Sequence, residues 1–433
     1  MKTRIIIVFF LLYILITLHM FKSSLYSHLT LPHYFKKQQN QRYLAYLPHS
    51  GLSNQRIELA NALLLAYMLN RTLLIPPAFL GSMFGWMPRE ELMNRLEWLT
   101  TPKPFNLLCQ SPTPKKLASY IQQSRCEEYK RLGILHWSEL HDLSPLLVDI
   151  QYQFQNIMSM KSIQENLGLS DDDIYKHEDA HLYDWRLYES REEAAEILKE
   201  QANYIDSFSG RRYFKLLLPH QFDRKEKLLF LGGIFGSTRL NVVDPKLKKM
   251  QEKIAHALHY RLDTSLGITA QSIVDYMGGK GSFMSLHFRT KDNPFKKNIP
   301  INLENFVKNM TEIVGGHESE ECIKTLPKDI EMTVGKKVKV YIATDYRDPK
   351  GKNSTLLPWF QEFPCTTVLS DIPTYLFAPL DDPRDMVSPS KSFKNFLIPL
   401  VDAIVAAHGK SILITPRSTF SKYIEELHQV WVS

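Results

Sequence analysis

Four places along this 433-residue chain carry side chains whose type and spacing could do chemistry. In Ser282–Arg289, reading SFMSLHFR, an apolar run delivers His287 and Arg289 at its end. Residues two apart on a strand face the same side, so His287 and Arg289 share one face and Phe288 turns into packing. An arginine fork at such a place can grip two oxygens of a diphosphate at once, which a lysine cannot do with the same geometry. A purely structural account, with both residues capping the strand and Arg289 paired to Asp292, would use the same residues without a ligand. In Lys337–Asp345, KVKVYIATD, a second apolar run ends on Asp345; in Ser411–Ser421, SILITPRSTFS, a third runs into Ser418, Thr419 and Phe420. Ser418 or Thr419 is a natural helix N-cap, and the free amides and dipole of a first helical turn suit a phosphate. Capping alone would explain the same two residues. The fourth place is Tyr46–Pro77, YLPHSGLSNQRIELANALLLAYMLNRTLLIPP, where Asn54, Gln55 and Arg56 sit at the start of an apolar run.

These residues need strands and helices to hold them. Gly51 offers the backbone freedom of a tight strand-to-helix crossing. From Ile57 onward Leu59, Ala60, Leu63, Leu64, Ala66, Tyr67 and Leu69 spread over a broad helical face, and Thr72–Ile75 then reads as a strand stopped by Pro76 and Pro77. A β-loop-α-β unit therefore opens the folded region, and open α/β sheets place ligands at the C-terminal ends of their strands. Farther on, Leu228–Phe235 reads as a strand that closes a first domain, Asp244–Leu262 as an amphipathic helix, Thr366–Leu369 as a strand leading to Asp371, and Pro399–His408 as a helix bearing Asp402. The stretch from 102 to 212 has weak periodicity and reads as helices and loops inserted around the first sheet. No internal repeat or low-complexity tract occurs.

Lys2 and Arg4 precede an apolar run, Ile5–Phe21, of seventeen residues whose only polar interruptions are Thr17 and His19. At about 1.5 Å per residue this is just long enough to cross a thin, early-secretory bilayer. The positive-inside rule then leaves residues 1–4 cytosolic, 5–21 as a transmembrane signal anchor, and the polar, basic 22–42 as a stem, with the remainder lumenal. A cleavable signal peptide is the competing reading, though no small-x-small site follows the run cleanly. The layout is that of a type II membrane protein of the Golgi or endoplasmic reticulum. About 390 residues remain beyond the stem, more than one core usually serves, so two α/β domains are expected, 43–245 and 246–433.

The net charge of +7, with 23% charged residues, is modest and spread out, and no basic block with interleaved aromatics argues for nucleic acid. In an oxidising lumen the four cysteines pair most simply as Cys109 with Cys126 and Cys322 with Cys365, and none has metal-type spacing. Sequons stand at Asn70, Asn309 and Asn353, and Asn70, against an expected buried strand, is expected to stay unglycosylated. Asp171, Asp172 and Asp173 offer a superficial metal-binding pattern, but no apolar strand precedes them, and a solvated helix start suits them better.

Taken in order, GLSNQRIELANALLLAYMLNRTLLIPP, SFMSLHFRTKD, VYIATD and ITPRSTFSKYI resemble the GDP-fucose protein O-fucosyltransferase superfamily, in particular its fungal members. The resemblance covers most of residues 43–433 and implies a GT-B architecture: two Rossmann-like domains facing a cleft, with GDP-fucose bound mainly by the second. It further implies metal-independent, inverting transfer of fucose to a Ser or Thr hydroxyl of a protein acceptor, with no cofactor beyond the donor substrate. Carried over by motif, Asn54 matches the loop asparagine near the scissile bond, and Arg289 the arginine on the β-phosphate and leaving oxygen. His287 matches the histidine of the same strand, Asp345 the acidic residue on the nucleoside side, and Ser418, Thr419 and Phe420 the phosphate-binding turn. Asp371 is a guanine contact by position alone. Some members carry a glutamate immediately before the loop glycine as base, whereas here Ser50 precedes Gly51 and His49 precedes Ser50. His49 is then a candidate base by its pKa, Glu58 a weaker one, and the base stays open. A different GDP-sugar, a glycan acceptor, or a catalytically silent anchored binding protein are the alternatives, the last disfavoured by the retained set Asn54, His287, Arg289, Ser418 and Thr419.

Overall fold

The apolar runs condense mainly onto two parallel sheets, beside a three-stranded parallel sheet and two antiparallel strand pairs, in a computed structural model that describes residues 41–81, 85–102, 109, 117–177, 179–190, 206–208, 211–316, 319, 322 and 335–432. The expected anchor at 5–21 and the stem up to residue 40 lie outside the described residues. Among the described residues, no helix is long and apolar enough to cross a membrane.

The first sheet contains β1 (Tyr43–Ala45), β2 (Thr72–Ile75), β3 (Tyr152–Phe154), β4 (Ile174–Lys176) and β5 (Leu228–Phe230), in the order β3-β2-β1-β5-β4. Every neighbouring pair is parallel, with Tyr43 of β1 opposite Thr72 on one side and Leu228 on the other. Between β1 and β2 runs α1 (Leu52–Leu69), apolar on most sides and accordingly enclosed, with Leu59, Leu63 and Leu65 fully buried. It packs on α2 (Pro245–Ala257), which Asp244 caps by accepting from the amides of Lys246 and Leu247.

The second sheet contains β6 (Met284–Phe288), β7 (Val340–Thr344), β8 (Thr366–Val368) and β9 (Ile412–Ile414), in the order β8-β7-β6-β9, again all parallel. Strands buried on both faces, as β6 and β7 are, read as continuous apolar runs, which is why those two were legible. Helices α3 (Ser265–Tyr276), α4 (Ile299–Val314), α5 (Lys394–Ala407) and α6 (Thr419–Val432) cover it. One apolar core runs from Leu44 and Leu63 through Ile273 to Tyr341, Ile404 and Tyr423, so Arg42–Ser433 pack as one unit. The bonds Cys109–Cys126 and Cys322–Cys365 are the expected near pairs.

Three expectations are corrected. The left-handed turn before α1 is made by Ser50, at φ 62°, while Gly51 is extended at φ −82°. Ser50 is held there because its carbonyl accepts from Gln55 Nε2 at 3.0 Å. The weakly periodic 102–212 stretch supplies two strands of the first sheet, β3 and β4, which are three-residue, half-buried edge strands and so leave no long apolar signature, and it also holds the buried strands Leu132–Leu135 and Trp185–Tyr188 outside that sheet. The run Leu228–Phe235 is a strand only as far as Phe230; it lies beside β1 and is, in chain order, the last strand of the first sheet. Asn70 ends α1 exposed to solvent, beside the buried strand β2 that begins at Thr72 of its sequon, as expected.

Candidate functional site

The C-terminal end of β6 brings the chemistry together. Phe288 is buried edge-on against Phe306 at 5.1 Å, so His287 and Arg289 share the opposite face, as alternation requires. Thr415, just past β9, stitches this end: its Oγ1 donates to the His287 carbonyl at 2.9 Å and accepts from the Arg289 amide at 2.9 Å. The Arg289 side chain is 24% exposed, with Nη2 donating to Asp292 Oδ2 at 3.1 Å and Nη1 lying 4.0 Å from Asp345 Oδ2. The pairing with Asp292 that a purely structural account expects is therefore present. It uses one of the five guanidinium N–H donors and leaves a partly exposed, oriented cation.

Asp345 follows β7 and folds the next turn onto it. Its Oδ1 accepts from the Thr290 amide at 2.6 Å and from Thr290 Oγ1 at 2.8 Å, and its Oδ2 accepts from the Lys291 amide at 3.2 Å. Beside them lies a cavity of about 590 Å³ lined by Thr290, Lys291, Asp345, Arg347, Lys352 and Asn353 among others, within the range of small-molecule sites. Asp371, at the end of β8, accepts from Lys350 Nζ at 2.6 Å and from the Val368 amide at 2.9 Å, and does not line this cavity. Asp402 of α5 braces β7 from behind, accepting from Tyr341 Oη at 2.6 Å and from the Thr344 amide at 3.2 Å. Burial pushes the Asp402 carboxyl up to about 7.

The N-terminal turn of α6 meets the same strand end. Ser418 Oγ accepts from the Ser421 amide at 3.2 Å, making Ser418 the cap. Ser421 Oγ shares a 2.6 Å hydrogen bond with His287 Nδ1, and Phe420 stands edge-on to the His287 ring at 5.3 Å. Burial, opposed by Asp345 and reinforced by Arg289, drives the His287 pKa down to about 4, so the ring is neutral near pH 7. Thr419 Oγ1 donates to Asn54 Oδ1 at 3.1 Å, bringing the first sheet's loop to the second sheet's helix. Arg56 seals that junction, stacked 3.6 Å over the Tyr423 ring with Nη2 3.4 Å from Glu426 Oε2.

His49 and Glu58, weighed separately in the sequence, form one buried pair. Glu58 Oε2 accepts from the His49 amide at 2.8 Å, and Oε1 lies 3.3 Å from His49 Nδ1. Burial raises the Glu58 pKa while His49 opposes the shift. Asp173 of the acidic run accepts from the Ser170 amide and hydroxyl at 3.0 Å and pairs with Lys227 at 3.0 Å. Among the described residues, no group of three or more His, Cys, Asp or Glu is placed to hold a metal ion. Thr415 and Ser421 escaped sequence reasoning. Their only signal is a hydroxyl just past a strand end and one inside a first helical turn, both common for capping alone.

The model of the GDP-fucose protein O-fucosyltransferase family matches residues 43–430. O-fucosyltransferase 30 of Arabidopsis thaliana is 65% identical over 37 residues, a stretch that is 8% of this chain and only 7% of that protein. The structure of NodZ alpha-1,6-fucosyltransferase soaked with GDP-fucose is 12% identical, with a TM-score of 0.41 over 89% of this chain and 92% of its own. That of POFUT1 in complex with GDP-fucose is 9% identical, with a TM-score of 0.37 over 90% and 95%.

Proposed function

The chain belongs to the GDP-fucose protein O-fucosyltransferase family, and from that premise we propose that it transfers fucose from GDP-fucose to a Ser or Thr hydroxyl of a protein, with inversion and without a metal. The single observation that carries the reading is the meeting at the end of β6: Arg289, the capped first turn of α6 at Ser418 and Thr419, and Asn54 bonded to Thr419 at 3.1 Å. In this reading the acceptor oxygen attacks the sugar's anomeric carbon, and the bond to the β-phosphate oxygen breaks. The negative charge that develops on GDP is met by the Arg289 guanidinium and the amides of the α6 first turn, oriented before reaction. Asn54 orients the sugar end, and His287, neutral and held by Ser421, donates or accepts one hydrogen bond beside the phosphates.

The nucleoside occupies the 590 Å³ cavity next to Asp345 in this reading, and Asp371, which does not line it, has no part in the proposed contact. The two sheets correspond to the two halves of a GT-B enzyme, 43–245 and 246–433. Residues 5–21 anchor the chain in the Golgi or endoplasmic reticulum membrane with the folded part lumenal, which suits both disulfides.

The test is the melting temperature of the full-length protein with GDP, UDP, ADP and GDP-fucose in EDTA, followed by GDP release from GDP-fucose. Stabilisation by GDP and GDP-fucose alone, with release undiminished by EDTA, is expected. A protein that melts at the same temperature with every nucleotide does not have this donor site.

A further inference from the structure

A second, much smaller polar cavity lies at the C-terminal edge of the first sheet, where β1 runs on to Leu47 and His49 and β5 to Gly232 and Gly233. Its volume is about 10 Å³, the room of a single hydroxyl or water oxygen. Leu47, Leu92 and Trp86 wall it with apolar surface, and Asp179, three residues beyond β4, supplies the carboxylate. The Asp179 side chain is 7% exposed. Oδ1 accepts from Trp185 Nε1 at 2.8 Å, whereas the buried Oδ2 makes no hydrogen bond among the described residues. An unmatched buried acceptor is destabilising, so its retention calls for a reason.

The backbone around it is cut to fit. A Cβ on Gly232 would stand 2.3 Å from Asp179 Oδ2, and one on Gly233 would stand 2.8 Å from Cε1 of His49. Two successive glycines thus leave space for two chemistry-bearing side chains at one sheet edge. The charged and titratable groups facing Asp179 are His177, whose Nε2 is 3.9 Å away, the Arg239 guanidinium and Asp184, and Arg89 and His49 line the same cavity. Burial lifts the Asp179 carboxyl to about 6 against the pull of Arg239, the Trp185 hydrogen bond and the Gly233 amide, with Asp184 adding to the rise.

Resting on the transferase reading above, we propose that Asp179 is the catalytic base: its Oδ2, which has no side-chain partner among the described residues, receives the proton of the acceptor hydroxyl that enters this cavity. The acceptor O–H bond breaks with its proton passing to Oδ2. The acceptor oxygen forms the new bond to the anomeric carbon, and the bond from that carbon to the β-phosphate oxygen breaks with its electron pair leaving on GDP. No further reactant is required. His49, fixed by Glu58, shapes the cavity as a positioning residue. The loop it belongs to carries Asn54 away from the same edge of the sheet.

Asp179→Asn tests this in the full-length protein, with GDP-fucose hydrolysis as the reaction so that water serves as the hydroxyl and no acceptor need be known. GDP release is expected to fall about 100-fold or more, with the GDP melting shift kept. The parent's rate should also lose its acidic limb near pH 6 in the variant. Release within about threefold of the parent overturns the assignment and leaves the donor site standing. So does a parent that binds GDP yet releases none from GDP-fucose. A parent without any GDP shift overturns the donor site and the base together. Should Asp179→Asn not fold, Asp179→Glu decides: its acidic limb is expected to move, and an unmoved limb overturns the role.

Discussion

Asn54 Oδ1 accepts a 3.1 Å hydrogen bond from Thr419 Oγ1, joining residues 365 apart in the chain. The loop that opens α1 and the turn that opens α6 therefore arrive at one point, and the Arg56 contacts with Tyr423 and Glu426 continue the same junction. The residue assigned to the sugar and the turn assigned to the phosphates are positioned by each other.

Thr419→Val and Asn54→Ala each remove that bond, so their effects on GDP-fucose turnover should not add. A double-mutant cycle is expected to give a coupling of about 0.5–1.5 kcal/mol. Strict additivity would mean that the two side chains act independently in the reacting complex.

Arg289→Ala leaves Asp292 and Asp345 without their cation and, on the proposed reading, the diphosphate without its fork. GDP affinity is expected to fall by about 3 kcal/mol, or roughly 100-fold, and Arg289→Lys should restore only part of it. Isothermal titration with GDP reads this directly. Unchanged affinity in Arg289→Ala would place the diphosphate elsewhere.

His287 sets a pH dependence of stability. Its folded pKa, about 4, lies below the ordinary 6.5, so the unfolded chain binds a proton there that the folded one does not. The contribution is fully present above pH 6.5 and is lost as pH falls towards 4, by at most about 3 kcal/mol. Because other buried histidines titrate in the same direction, the quantity to measure is the difference in unfolding free energy between the parent and His287→Gln. That difference should shrink from pH 7 to pH 4. A constant difference would mean that His287 titrates normally.

The Cys322–Cys365 bond closes a loop with a sequence separation of 43 and ties the chain just before the edge strand β8. On chain entropy alone, replacing both cysteines with serine should cost about 4 kcal/mol. Calorimetry of the double variant should show a melting temperature several degrees lower; no change would mean that the reduced chain is already restricted there.

The strand ends that carry His287, Arg289 and Asp345 were legible in the sequence, because a strand buried on both faces needs an unbroken apolar run and its alternation assigns faces residue by residue. The helix of Leu52–Leu69, the capped turn at Ser418, the cysteine pairs and the family were legible for equally local reasons. The edge strands Tyr152–Phe154 and Ile174–Lys176 were not, since a short, half-buried strand takes its identity from the neighbour it pairs with. Nor were the partnerships of His287 with Ser421, Asp345 with Thr290 and Asp179 with the space left by Gly232. Composition and periodicity thus determined which residues reach strand ends and helix starts, because those signals repeat within a few residues. Which of these ends face one another, and which buried carboxylate oxygen is left without a donor, was decided only when distant segments packed, because no local pattern encodes the register between them.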